Sequence, residues 1–152
     1  MDIDYMDNHK DFTYDKTNFA SLPEFVNATK AKGIKWAIIL DPAIDGSVPG
    51  YKAFEEGYKR DVFVKWPAGH HSGQQHDLPP TVKTDKNVLY GKVWPDGPAA
   101  FPDFFKNSTA QWWSDMAVDF HKTIPFDALW IVNFPIHLIP NIDKLYSNSG
   151  HE

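Results

Sequence analysis

Gly33-Ile34-Lys35-Trp36-Ala37-Ile38-Ile39-Leu40-Asp41-Pro42 runs from a helix stop through an apolar strand to a carboxylate. Gly33 supplies the left-handed turn that commonly ends a helix. Trp36 to Leu40 is apolar on both faces of an extended chain, as a parallel strand covered by helices is. The strand is predicted over Ile34–Leu40, with Asp41 directly after it. Working backward, Ser21-Leu22-Pro23-Glu24 reads as a helix start. Ser21 is placed to cap, Pro23 suits the first turn and Glu24 completes a capping box. Leu22, Phe25, Val26 and Ala28 supply an apolar face, and Lys30 and Lys32 suit the negative end of the dipole. A helix is therefore expected over residues 22–32.

Working forward, the same helix–strand rhythm returns. Ser108 and Gln111 have capping-box spacing, Trp112, Met116 and Phe120 recur every four residues, and Pro125 stops the helix. This predicts a helix over residues 109–123 and a strand over Ala128–Val132, parallel and adjacent to the first, with both helices on one side. Between the two units, residues 41–100 read as a long irregular segment rich in Gly and Pro, with short strands at Val62–Val64 and Val88–Trp94. At the start of the chain, the alternation of Ile3 and Tyr5 predicts a short strand over Ile3–Met6, and Phe12-Thr13-Tyr14 a second extended piece. The fold class is α/β, without internal repeats. The acidic opening has neither the basic region nor the apolar stretch of a secretory signal, and it reads as a start inside a domain.

Composition narrows the function. A chain of 152 residues with 42% hydrophobic residues suits one folded domain. A net charge of −5 argues against a phosphate-binding surface built from Lys and Arg, so no nucleic acid is expected. No apolar run approaches the ~18 residues of a membrane helix. There is no cysteine, which excludes disulfides and leaves the compartment open. Twelve prolines and six tryptophans fit ligand surfaces on long loops and a dense aromatic core equally well.

Taken singly, the chemistry-bearing residues have plain readings. Asp2 is a surface acid, Asp41-Pro42 a strand-ending turn, and Trp94 and Trp130 core aromatics. His70, His71 and His76 lie in a Gly/Gln-rich loop whose spacing demands no metal, so neither metal nor cofactor is expected. Asn27-Ala28-Thr29 and Asn107-Ser108-Thr109 match the glycosylation acceptor pattern, which arises often by chance.

Six segments in order change the weight of these residues. They are Asp2-Ile3-Asp4-Tyr5-Met6-Asp7, Phe12-Thr13, Asp41-Pro42-Ala43-Ile44, Gly91-Lys92-Val93-Trp94-Pro95, Phe101-Pro102-Asp103-Phe104 and Phe126-Asp127-Ala128-Leu129-Trp130-Ile131. Together they resemble the family 31 glycoside hydrolases over nearly all of residues 2–131. The resemblance implies part of a (β/α)8 TIM barrel with a long irregular insertion between two βα units. It implies an α-glucosidase-type parent that hydrolyses terminal α-linked glucose, with an α-glucoside or oligosaccharide as partner. It also implies that Asp2 and Asp41 contact hydroxyls of the non-reducing glucose, while Trp94 and Trp130 wall its subsite. Carboxylates accept such hydroxyl hydrogen bonds, and indole faces cover the C–H faces of a sugar. The Phe101–Phe104 segment looks most like the lysosomal and intestinal branch, so the resemblance implies a parent of the secretory pathway and leaves the compartment of this chain open.

The sequence then departs from the pattern. Retaining glycosidases use two carboxyl groups, one nucleophile and one acid/base. In the family the nucleophile is the aspartate after Trp-Ile; here Trp130-Ile131 is followed by Val132, which has no lone pair to attack an anomeric carbon. The family's acid/base belongs to a later strand outside these residues. No catalytic carboxylate is thus expected, and the chain alone should be inactive and poorly stable; its alternative readings are a catalytically dead carbohydrate-binding protein and a non-functional truncated product. Residues 1–131 are assigned to the partial barrel and 132–152 to a divergent tail. Valine codons begin with GT, as most introns do, so the tail is expected to be translated intron. A mature transcript that encodes Trp-Ile-Val would refute that.

Overall fold

The computed structural model describes residues 1–68 and 78–132. Its elements are strand β1 (Ala37–Leu40) preceded by helix α1 (Leu22–Lys30), and strand β5 (Ala128–Ile131) preceded by helix α3 (Asn107–His121). Between the two units lie β2 (Ile44–Asp45), α2 (Lys52–Lys59), β3 (Tyr90–Gly91) and β4 (Ala99–Ala100). β1 and β5 pair in parallel, with Ile38 opposite Leu129 and Leu40 opposite Ile131. β2, β4 and β3 form a separate antiparallel sheet with β4 central. The parallel, adjacent pairing expected from the two apolar runs is therefore present.

Each unit is shaped by local chemistry. α1 ends on Gly33 at φ +85°, with Ile34 N–H donating to Thr29 O (3.1 Å) and Gly33 N–H to Lys30 O (2.9 Å). That crossed pair is a Schellman ending, which only a glycine adopts without strain. Asp127 then ties the entries of both parallel strands. Its Oδ2 accepts Trp36 N–H at 2.9 Å, and its Oδ1 lies 3.2 Å from Lys30 Nζ. The Trp36 indole N–H donates to Thr29 Oγ1 at 2.8 Å and seats β1 against α1. Leu22 and Val26 of α1, Ile38 and Leu40 of β1, and Trp112, Trp113, Met116 and Phe120 of α3 share one core. Trp112 is fully buried against the rings of Phe12, Phe63 and Trp113.

Several expectations are corrected. Ile3–Tyr5 is a 3-10 turn and not a strand. The Asp2 carboxylate accepts Ile3 N–H (2.8 Å), which tightens the backbone, and Tyr5 turns inward to donate its hydroxyl to Ile39 O (2.9 Å). β1 begins at Ala37, since Ile34 is exposed and Trp36 spends its backbone on Asp127. Neither Ser21 nor Ser108 caps with its side chain: α3 starts at Asn107 after Lys106, which makes no side-chain cap bond. The Thr109 hydroxyl instead donates to Val62 O at 3.1 Å and docks the helix start. Val62–Val64 and Val88–Trp94 reduce to isolated bridges, Phe63 with Pro102 and Lys65 with Val88, and to β3. The segment read as irregular contains α2, whose Ala53, Phe54, Gly57 and Tyr58 are buried. His70, His71, His76 and the tail beyond Val132 lie outside the described residues. No helix among the described residues is long and apolar enough to cross a membrane.

Candidate functional site

Alternation along β1 puts Ala37, Ile39 and Asp41 on one face, opposite the core-facing Ile38 and Leu40. The parallel register brings Ala128, Trp130 and Val132 to that same face of the neighbouring strand. Extending the register by one residue sets Val132 beside Asp41, and Val132 N–H donates to Leu40 O at 3.4 Å. Both residues follow directly on the C-terminal ends of their strands.

The edge of β1 away from β5 is occupied by the start of the chain. Met1 N donates to Ala37 O at 2.6 Å, and Ile39 N–H donates to Met1 O at 3.1 Å. Asp2 thus emerges at the same end as Asp41 and Val132. Asp2 is solvent-exposed, whereas Asp41 is 7% exposed. Burial, and secondarily the negative charge of Asp2, raises the Asp41 carboxyl above the ordinary carboxylate range. Asp41 Oδ1 is buried and has no hydrogen-bond partner among the described residues. A buried acceptor left open in this way suits a hydroxyl donor.

A small cleft of ≈130 Å³ opens at this point, lined by Asp41, Pro42, Val93, Trp94, Phe101 and Val132. Trp94 is 55% exposed and Trp130 49% exposed, so neither is a core aromatic. The structure brings Asp41, Trp94 and Val132 to one cleft, with Asp2 close enough to act on Asp41 electrostatically. Trp130 shares the face through the register but is not part of the cleft lining. A larger cleft of ≈360 Å³, between Lys10, Tyr51, Lys52 and Phe120, includes none of these residues. Its charges are spent internally, Lys10 on Asp7 at 3.0 Å and Lys52 on Asp119 at 2.5 Å. No group of three or more metal-ligating side chains occurs among the described residues.

One residue at the site has no sequence signal. Asp11 is 1% exposed, and its Oδ1 accepts the backbone N–H of Asp41 at 2.9 Å. Burial drives its carboxyl well above the ordinary range; the Asp41 N–H works against that rise, and the Asp41 charge adds to it. In Lys10-Asp11-Phe12 nothing distinguishes this aspartate from a surface acid.

A parallel strand pair, each strand preceded by a helix, with Asp41 at the C-terminal end of β1, is the arrangement of α/β enzymes that bind ligands there. Residues 1–148 match the sequence model of the Glycosyl hydrolases family 31 TIM-barrel domain, and the chain belongs to that family. It is similar to intestinal sucrase-isomaltase of Oryctolagus cuniculus, 40% identical over 86% of this chain and 7% of that protein. It is also similar to lysosomal alpha-glucosidase of Rattus norvegicus, 39% identical over 91% of this chain and 13% of the relative. Among solved structures, a family 31 alpha-glucosidase from Bacteroides thetaiotaomicron superposes with a TM-score of 0.64. That likeness has 29% identity and covers 86% of this chain and 19% of the bacterial one. The chain thus spans a small part of the length of each of these relatives.

Proposed function

We propose that this chain is part of the catalytic TIM barrel of an α-glucosidase-type hydrolase and that its strand ends hold the non-reducing glucose of an α-glucoside or oligosaccharide. Asp41 and Asp2 accept sugar hydroxyls, and Trp94 and Trp130 flank the ring. The observation that carries this reading is the buried, unpartnered Oδ1 of Asp41 in a cleft shared with the exposed face of Trp94. A charged acceptor in such a place gains a charge-assisted bond when a hydroxyl arrives and exposes little to water otherwise.

The 152 residues by themselves do not hydrolyse the bond. Retention needs an attacking carboxylate and a proton donor. Val132 stands beside Asp41 where the resemblance puts the nucleophile, and the acid/base of the family lies on a later strand. In this reading Asp41 is the hydroxyl acceptor and stands one strand away from the nucleophile position. Val132 also supports a second reading, a sugar-binding protein that has lost its chemistry. Residues 132–152 form a divergent tail in either case, and sequencing the mature transcript tests whether they are read-through. The functional test is maltose binding by calorimetry together with release of chromophore from an α-glucoside. Binding that Asp41→Asn and Trp94→Ala weaken, without turnover, is expected. Turnover by the purified chain overturns the inactivity, and binding indifferent to both substitutions overturns the site.

A further inference from the structure

We propose that Asp11 is a positioning residue for Asp41: its carboxyl finishes the open edge of β1 and thereby fixes the aim of the Asp41 side chain. This proposal rests on the sugar-site reading above only for its consequence in binding.

Consider the backbone groups along that edge. In a strand, the N–H and C=O of alternate residues point to the same side, and every buried one needs a partner. On the β5 side the groups of Trp36 and Leu40 are used: Asp127 N–H donates to Trp36 O at 2.7 Å and Val132 N–H donates to Leu40 O. On the other side stand Ala37, Ile39 and Asp41. Ala37 O and Ile39 N–H are satisfied by Met1, and Ile39 O by the Tyr5 hydroxyl. From there the chain has curled into its 3-10 turns and offers no backbone strand. Asp41 N–H, the next donor in the row, is met by the side chain of Asp11 instead. Three successive pieces of residues 1–11 thus serve one edge, and the last is a carboxyl group.

Asp11 is itself held from behind. The Tyr51 hydroxyl donates to Asp11 O at 2.8 Å, so β1 is coupled to the residue just before α2. The geometry is over-determined around Asp41 N–H and free beyond it. Asp11 Oδ2 and Asp41 Oδ1 are both buried and both lack partners among the described residues. A carboxyl retained in such burial costs free energy unless it does something that an apolar residue cannot. Accepting Asp41 N–H is that task. Without the acceptor, a buried donor is orphaned and Asp41 is released to turn its backbone toward water.

The variants are Asp11→Asn and Asp11→Ala in the full 152-residue chain. Asparagine keeps an acceptor at Oδ1 for the Asp41 N–H. The first readout, independent of any sugar, is hydrogen exchange of the Asp41 amide. In Asp11→Ala it should exchange at least tenfold faster, while Ile38 and Leu40, bonded toward β5, keep their protection. In Asp11→Asn it should stay near wild type. The second readout is maltose affinity, expected to fall at least tenfold in Asp11→Ala and to be recovered in Asp11→Asn. Equal loss of protection at Ile38, Leu40 and Asp41 would mean general unfolding and overturn a positioning role. So would unchanged Asp41 exchange in Asp11→Ala. If wild type binds no maltose yet Asp41 exchange behaves as described, the sugar reading fails and the positioning of Asp41 stands.

Discussion

Val132→Asp places a carboxylate on the same face as Asp41, one strand away, and its effect can be worked from the register. Neighbouring strands lie ~4.8 Å apart. Two unit charges about 5 Å apart at an effective dielectric of about 20 repel by about 3 kcal/mol. Val132 is half-buried, so solvent screens part of this and about 1–3 kcal/mol should remain. Val132→Asn, similar in shape and uncharged, is the control. The assay is urea unfolding of both variants at pH 7.5 and through the acid range. At pH 7.5 the aspartate variant should be less stable than the asparagine variant by that amount. The gap should close as pH falls. Burial and Asp2 already hold the Asp41 carboxyl high, and a second carboxylate raises it further. A folded-state pKa above the unfolded value means that the folded protein takes its proton first, so acidification relieves the repulsion. No gap at pH 7.5, or one that widens in acid, refutes the placement of Val132 beside Asp41. Turnover of an α-glucoside should stay absent in this variant, since the leaving oxygen still lacks a proton donor.

Three further substitutions probe the frame. Asp127→Asn weakens the charge-assisted bond to Trp36 N–H and the tie to Lys30, and should cost about 1–2 kcal/mol in neutral urea melts. Burial tends to raise the Asp127 carboxyl, but the Trp36 N–H and Lys30 outweigh it and hold it below its ordinary value of 3.8. That difference from wild type should therefore fade as pH drops below about 4, because there wild type itself loses the stability that the charged Asp127 contributes. Trp112→Ala should cost about 3–5 kcal/mol in chemical denaturation, as a fully buried ring is removed from among Phe12, Phe63 and Trp113. Trp112→Phe should cost less, because the buried indole N–H has no partner to lose. Gly57→Ala would bring a methyl to 2.7 Å from Phe63 Cζ and 3.1 Å from Val62 Cγ2. Overpacking of about 1–3 kcal/mol should outweigh the ~1 kcal/mol gained in helix propensity, so thermal melting should fall.

The parallel core was legible because its signals are local. Gly33 must end a helix, and Trp36–Leu40 and Ala128–Ile131 are too apolar for one-sided strands. Asp41 and Trp94, which meet Val132 at one cleft, stand out in the sequence through the motifs that hold them, and Val132 through its break with the pattern. What failed depended on distant partners. Ile3–Tyr5 alternates like a strand, but Tyr5 is drawn inward by Ile39 O, 34 residues away. Lys52–Lys59 was passed over because Gly57 and the flanking Pro49-Gly50 look like loop, although burial at 53, 54, 57 and 58 is helical in spacing. Gly57 is there because Phe63 leaves no room for a side chain. Asp11 was invisible for the same reason: its value comes from an N–H donor 30 positions on.

The claim that the strand ends form a sugar site without hydrolytic chemistry is met most directly by titrating maltose into the isotopically labelled chain and following amide shifts alongside free glucose. The shifts should gather at Asp2, Asp41, Trp94, Trp130 and Val132, and no glucose should form. Shifts confined to the larger cleft near Lys10, Lys52 and Phe120, or glucose released by the purified chain, would contradict the account.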